Sequence, residues 1–169
     1  MGRDPVKEIT QHLDKTDDPI LVILRGHLLV EERLRDILAR LSRAPEELKA
    51  ARLSFHQVLY LCRAVIARHD EPVWGFMERL NEVRNRVAHH LDPGDFDELL
   101  GSLAAKLWSD YPNRLETPLG RFRMAVVYTC GYLESIRGGL RLREAYAAED
   151  ERNRRVGPPR RRRRLPARR

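Results

Sequence analysis

Residues 80–91 read Leu80-Asn81-Glu82-Val83-Arg84-Asn85-Arg86-Val87-Ala88-His89-His90-Leu91, and their spacing predicts a helix with chemically distinct faces. With Leu80 at zero and a turn of about 100° per residue, Val83, Val87 and Leu91 fall within about 60° of it and form a core stripe. Asn81, Asn85 and His89, each four residues after the last, form a second stripe expected to point away from the core. Arg84 lies at the edge of the core stripe, where its aliphatic stem can pack while the guanidinium reaches outward. His90 falls on the opposite flank. On an ideal helix Arg84 and His89 stand about 140° apart. A long arginine side chain, an irregular helix end or a second subunit is needed to bring them together. Polar residues on a non-core stripe also make an ordinary solvated face, and composition alone does not separate the two readings.

Working outward, helical periodicity dominates and no strand-type alternation is visible. Pro5 to Lys15 suits a short first helix. Asp17-Asp18-Pro19 is a strong start signal, an acidic cap followed by proline at the first helical position, and the helix it opens runs to about Leu41. Pro45 to Ala51 adds a turn. Ser54-Phe55-His56-Gln57 has the spacing of a capping box and opens a helix to about Arg68. Asp70-Glu71-Pro72 starts the helix that carries the motif, and Asp92-Pro93-Gly94 stops it. Residues 95–108 give a shorter helix. Thr117-Pro118 caps a long last helix to about Glu149, with Gly138-Gly139 as a candidate kink. The expectation is an all-α bundle of about five helices.

A second polar feature lies in the helix from Pro19. Its apolar face carries Ile20, Ile23, Leu34, Leu38 and Leu41, and the same rotation puts His27 and Glu31 on that face. Polar groups there are costly unless bonded. Either His27 and Glu31 hydrogen-bond each other in the core, or the pair braces a polar site on the motif helix. Glu32 and Arg33 turn away and are expected on the surface.

The 169 residues suit one domain, and a hydrophobic content of 42% is enough for one core. Residues 152–169 hold ten arginines and no acid; removing those charges from the net +7 leaves −3 for residues 1–151. The basicity therefore belongs to an Arg-rich tail, 152–169, expected to be disordered, behind a helical domain of residues 1–151. Arg160, Arg161, Arg162, Arg163 and Arg164 can attract phosphates without reading sequence, or simply keep the terminus soluble. Cys62 and Cys130 show neither metal spacing nor a disulfide framework; both read as core residues of a protein in a reducing, cytoplasmic setting. Arg25 and His27 interrupt the most apolar stretch, Ile20 to Val30, so no membrane span is expected, and Met1 to Pro5 lacks the apolar region of a signal peptide. His89 and His90 make a poor metal pair, because adjacent histidines on a helix diverge and no further ligand has suitable spacing.

The segment Leu80 to His90 resembles the signature of HEPN domains (higher eukaryotes and prokaryotes nucleotide-binding), an arginine followed by a polar residue and, a few positions on, a histidine. Arg84, Asn85 and His89 fit it with a four-residue gap. Ile20 to Leu41, with His27-Leu28-Leu29-Val30-Glu31, looks like the helix preceding the motif in small bacterial members. The resemblance covers roughly residues 18–145. It implies an up-and-down helical bundle and a homodimer whose two motifs meet at a shared cleft. Many members are endoribonucleases that need no metal or other cofactor, in toxin–antitoxin, abortive-infection and CRISPR systems; others are non-catalytic modules that bind a nucleotide or a partner protein. RNA, a second copy, and an antitoxin or nucleotidyltransferase are thus the partners implied. Some small members carry tyrosine two places after the histidine, where this chain has Leu91.

The chemistry these residues suit is metal-free RNA cleavage. His89 can serve as general acid or base, since imidazole titrates near neutral pH. Arg84 can clamp the non-bridging oxygens with its planar fork. Asn85 can position the phosphate or orient His89, and His90 is the rival for the catalytic role. His27 and Glu31 would support the site from the neighbouring helix.

Overall fold

The computed structural model describes residues 5–66, 72–89, 94–105, 107 and 117–156. Among them every regular element is a helix: α1 (Pro5–Leu13), α2 (Pro19–Leu41), α3 (Pro45–Ala50), α4 (Phe55–Val65), α5 (Pro72–His89), α6 (Phe96–Ala105) and α7 (Pro118–Val156). The all-α expectation holds, and the short α1 and α3 raise the number of helices above five.

The helix starts follow the local chemistry. Asp18 Oδ1 accepts from the amides of Ile20 (2.9 Å) and Leu21 (3.4 Å), with Pro19 at the first position of α2. Ser54 and Gln57 close a reciprocal capping box at the start of α4: the Ser54 amide donates to Gln57 Oε1 (2.8 Å) and the Gln57 amide to Ser54 Oγ (3.4 Å). Thr117 Oγ1 accepts from the Gly120 amide at 3.1 Å before α7.

Contacts divide the chain into Met1–Arg137 and Gly138–Arg169. In the first unit α2 is the hub. Phe55 of α4 meets His27, and Cys62 Sγ donates to the Leu34 carbonyl, so α4 runs in the same sense as α2. The first part of α7 also runs with α2. Arg123 reaches the Thr16 carbonyl (2.6 Å) and Asp17 (2.7 Å), Glu134 meets Arg33, and Arg137 meets Asp36. The motif helix α5 runs against them, with Trp74 near Tyr132, Phe76 near Phe122, Glu78 against Arg63, and Asn81 against His27. Trp74, Phe76, Met77, Leu80, Ile23, Leu34, Leu59 and Phe122 fill the interior. Cys62 and Cys130 are buried and unpaired with each other, and burial pushes both thiols up to about 12. No helix among the described residues is long and apolar enough to cross a membrane.

Three expectations change. Arg33 is not a surface residue: its side chain is 13% exposed and lies 3.3 Å from Glu134, because α7 covers a second face of α2. The same two helices are tied further on through Arg137, which bridges Glu134 (2.5 Å) and Asp36 (3.3 Å). Ile20 and Leu41, at the two ends of α2, are partly exposed rather than core. In the second unit α7 continues through Gly138-Gly139 to Val156, beyond Glu149 and into the start of the stretch expected to be disordered. Residues 157–169, including Arg160 to Arg164, lie outside the described residues.

Helix α7 approaches α2 closely at Gly26. A Cβ there would stand 3.0 Å from Val126 Cγ2 and 3.3 Å from Phe122 Cζ. Gly26→Leu is therefore expected to cost about 1–3 kcal/mol by overpacking. Gly131→Ala, where an added Cβ meets nothing within 4 Å, should instead gain up to about 1 kcal/mol of helix propensity. Urea denaturation of the two variants tests the pair.

Candidate functional site

The width of the buried arc on α5 decides where the motif side chains go. In the first half of the helix the arc is broad, because Trp74 and Met77 are buried along with Val73, Phe76 and Leu80. Asn81 falls between the directions of Trp74 and Met77. It is half-buried and faces α2, not the solvent stripe expected for it. Past Leu80 the arc narrows to Val83 and Val87. Arg84 is consequently half-buried, while Asn85 and His89 are exposed as expected. His90 and Leu91 lie outside the described residues.

The His27 ring is buried, 4% exposed, and packs on Phe55 with centroids 4.3 Å apart. Its Nε2 donates to Asn81 Oδ1 at 3.2 Å. Nδ1 faces Glu31 Oε2 at 3.6 Å, within ion-pair range but too long for a hydrogen bond. Of the two readings of this pair, the hydrogen bond within it is not formed, and the bond His27 makes crosses to the motif helix. Glu31 turns its other oxygen to Arg35, which donates from Nη2 (2.6 Å) and Nε (3.0 Å) and also holds the Leu53 carbonyl at 2.7 Å. Three residues beyond Asn81, Arg84 donates from Nη1 to Asn85 Oδ1 at 3.0 Å. Arg84 and Asn85 are therefore drawn together, and His89 stands one turn further along an accessible face.

Burial is the main influence holding the His27 proton affinity below its ordinary value of 6.5; the positive charge of Arg84 acts the same way, while Asn81 and Glu31 oppose them. Burial thus favours the neutral form of the ring. Its coupling to Arg84 places His27, Asn81, Arg84 and Asn85 in one electrostatic neighbourhood. Sequence reasoning left two readings of His27 and Glu31, a hydrogen bond within the pair or a brace to the motif helix, and missed Asn81 and Arg35 as the partners they take. The spacing of Asn81 three residues before Arg84 was a signal for the first, since such residues share a helix face.

Comparison of the chain with protein-family models, with curated proteins and with solved structures found no match.

Because the folded chain holds His27 more weakly protonated than the unfolded chain does, the unfolded state takes up the proton first as pH falls. Stability should therefore be fully present above about pH 6.5 and decline below it, and His27→Gln should flatten that decline. Asn81→Ala, which leaves the buried ring nitrogen without its partner, should cost about 1–3 kcal/mol at neutral pH. Thermal unfolding from pH 5 to 8 measures both.

Proposed function

We propose that this chain is an RNA endonuclease of HEPN type that works as a homodimer, with Arg84, Asn85 and His89 as its catalytic residues. The observation that carries the reading is the Arg84–Asn85 hydrogen bond, 3.0 Å long, which holds a guanidinium at the accessible end of α5 one turn from the exposed His89. Arginine offers paired N–H donors in a fixed plane, suited to the oxygens of a phosphodiester. His89 is a side chain able to exchange protons near neutral pH. The two diverge around one helix, so two antiparallel copies of α5 facing each other would bring the Arg84 of one protomer toward the His89 of its partner.

In that cleft one imidazole takes the proton of the 2′-hydroxyl as its oxygen attacks phosphorus. Arg84 stabilises the added negative charge on the phosphorane. The second imidazole returns a proton to the departing 5′-oxygen. The products are a 2′,3′-cyclic phosphate and a 5′-hydroxyl, and the reaction consumes no cofactor. A toxin or phage-defence setting, with an antitoxin or nucleotidyltransferase as regulatory partner, accords with this activity. The Arg-rich tail would add sequence-blind attraction for RNA.

A second reading, a non-catalytic module that binds a nucleotide or partner protein, is favoured by the same contact: Arg84 is half-buried and already engaged by Asn85.

Incubation of the purified chain with a mixed-sequence RNA separates the two. Cleavage is expected to persist in EDTA and to leave 2′,3′-cyclic phosphate ends. His89→Ala should lower the rate about 10²–10⁴-fold, and Arg84→Gln should lower it by a similar order. Wild-type rates in both variants would refute the assignment. A folded wild-type chain that cleaves nothing while binding a nucleotide through Arg84 would establish the second reading.

A further inference from the structure

Both ring nitrogens of the buried His27 face acceptors, Asn81 Oδ1 at 3.2 Å from Nε2 and Glu31 Oε2 at 3.6 Å from Nδ1. A neutral imidazole has one N–H and can satisfy one of them; an imidazolium has two and can satisfy both. The pocket is shaped for a proton that its surroundings oppose. The groups facing the ring are few. Its own helix α2 supplies Glu31, whose carboxylate is shared with Arg35. The motif helix α5 supplies Asn81 and the charge of Arg84, and α4 supplies the uncharged Phe55. Glu31 is locked to Arg35. Arg84 is the charge in this set that a ligand can cancel, because it is half-buried at the accessible part of α5 and its guanidinium reaches out to Asn85.

We propose that His27 is a positioning residue for Arg84: when an anionic phosphate settles on that guanidinium, His27 takes a proton from solvent, its bond from Nε2 to Asn81 on α5 becomes charge-assisted and stronger, and Nδ1 turns to Glu31 on its own helix. A phosphate beside Arg84 offsets the positive charge that disfavours the imidazolium. Linkage is reciprocal, so the protonated ring strengthens phosphate binding by the same factor. Glu31, fixed by Arg35, is then the acceptor ready for the new N–H. The device rests on the phosphate-binding role given to Arg84 above, but requires no chemistry from His89.

The test is an NMR titration of the histidine ring signals from pH 5 to 8. It uses the full chain carrying His89→Ala, with and without a mixed-sequence 2′-O-methyl RNA decamer, which lacks the attacking hydroxyl and stays intact. The His27 signals are identified by their loss in His27→Gln. Its midpoint is expected to move to higher pH when the decamer binds, and the decamer should bind about 5- to 10-fold tighter at pH 6 than at pH 8. His27→Gln should remove most of that difference. Arg84→Gln, at a half-exposed position, should abolish the movement of the midpoint and serves if His27→Gln does not fold. A bound decamer with an unmoved midpoint overturns the proposal and leaves the ribonuclease reading intact. A moved midpoint in a chain whose wild type cleaves no RNA supports the proposal while the ribonuclease reading falls. A decamer that does not bind overturns both.

Discussion

A histidine ring enclosed by α2, α4 and α5 must find its hydrogen-bond partners inside the protein, and His27 finds Asn81. Leaving either group unpaired in that interior would cost more than the bond itself gains. The contact therefore does more than add stability. It disfavours a shift of α5 along α2 that would bring Met77, four residues earlier, against the ring. With that register set, Arg84 and Asn85 occur together at the accessible end of the crossing and His89 emerges on the open face. The candidate site is thus placed by a polar contact in the core, which the core tolerates because the ring Nε2 and the Asn81 oxygen satisfy each other.

The helix starts were legible in the sequence because they rest on local chemistry. Asp18 with Pro19, Ser54 with Gln57, and Thr117 with Pro118 act over three or four residues, and each behaves as its sequence suggests. The motif stripe was legible at Asn85 and His89 for the same reason, since their exposure follows from the rotation of one helix. Legibility failed where a second element decides the outcome. Arg33 read as surface because the periodicity of α2 reveals one apolar face, whereas α7 covers another and offers Glu134 as counter-ion. Asn81 read as outward because the arc buried on α5 is not uniform along its length; the large Trp74 widens it near the start. His27 was recognisably in need of a partner, yet the partner came from 54 residues away.

The distribution of charge at the crossing follows from these placements. Glu31 is close enough to His27 to favour its proton, and Arg35 holds the other oxygen of that carboxylate. Arg84 opposes the proton from the other side. Burial is the largest influence on the ring, as it is on the two cysteines, and at His27 the charged and polar neighbours then act on both sides of it.

The pairing of α2 with α7 carries a consequence for how the chain is made. Arg123 joins residues 106 and 107 positions earlier, and Arg137 reaches back 101 positions to Asp36. Closing such long loops is entropically slow to be rewarded. A nascent chain that has delivered α1 to α6 to the tunnel exit still lacks the helix that covers Gly26 and neutralises Arg33. Until α7 emerges, that flank of α2 stays uncovered, and apolar surface exposed in this way during synthesis favours aggregation.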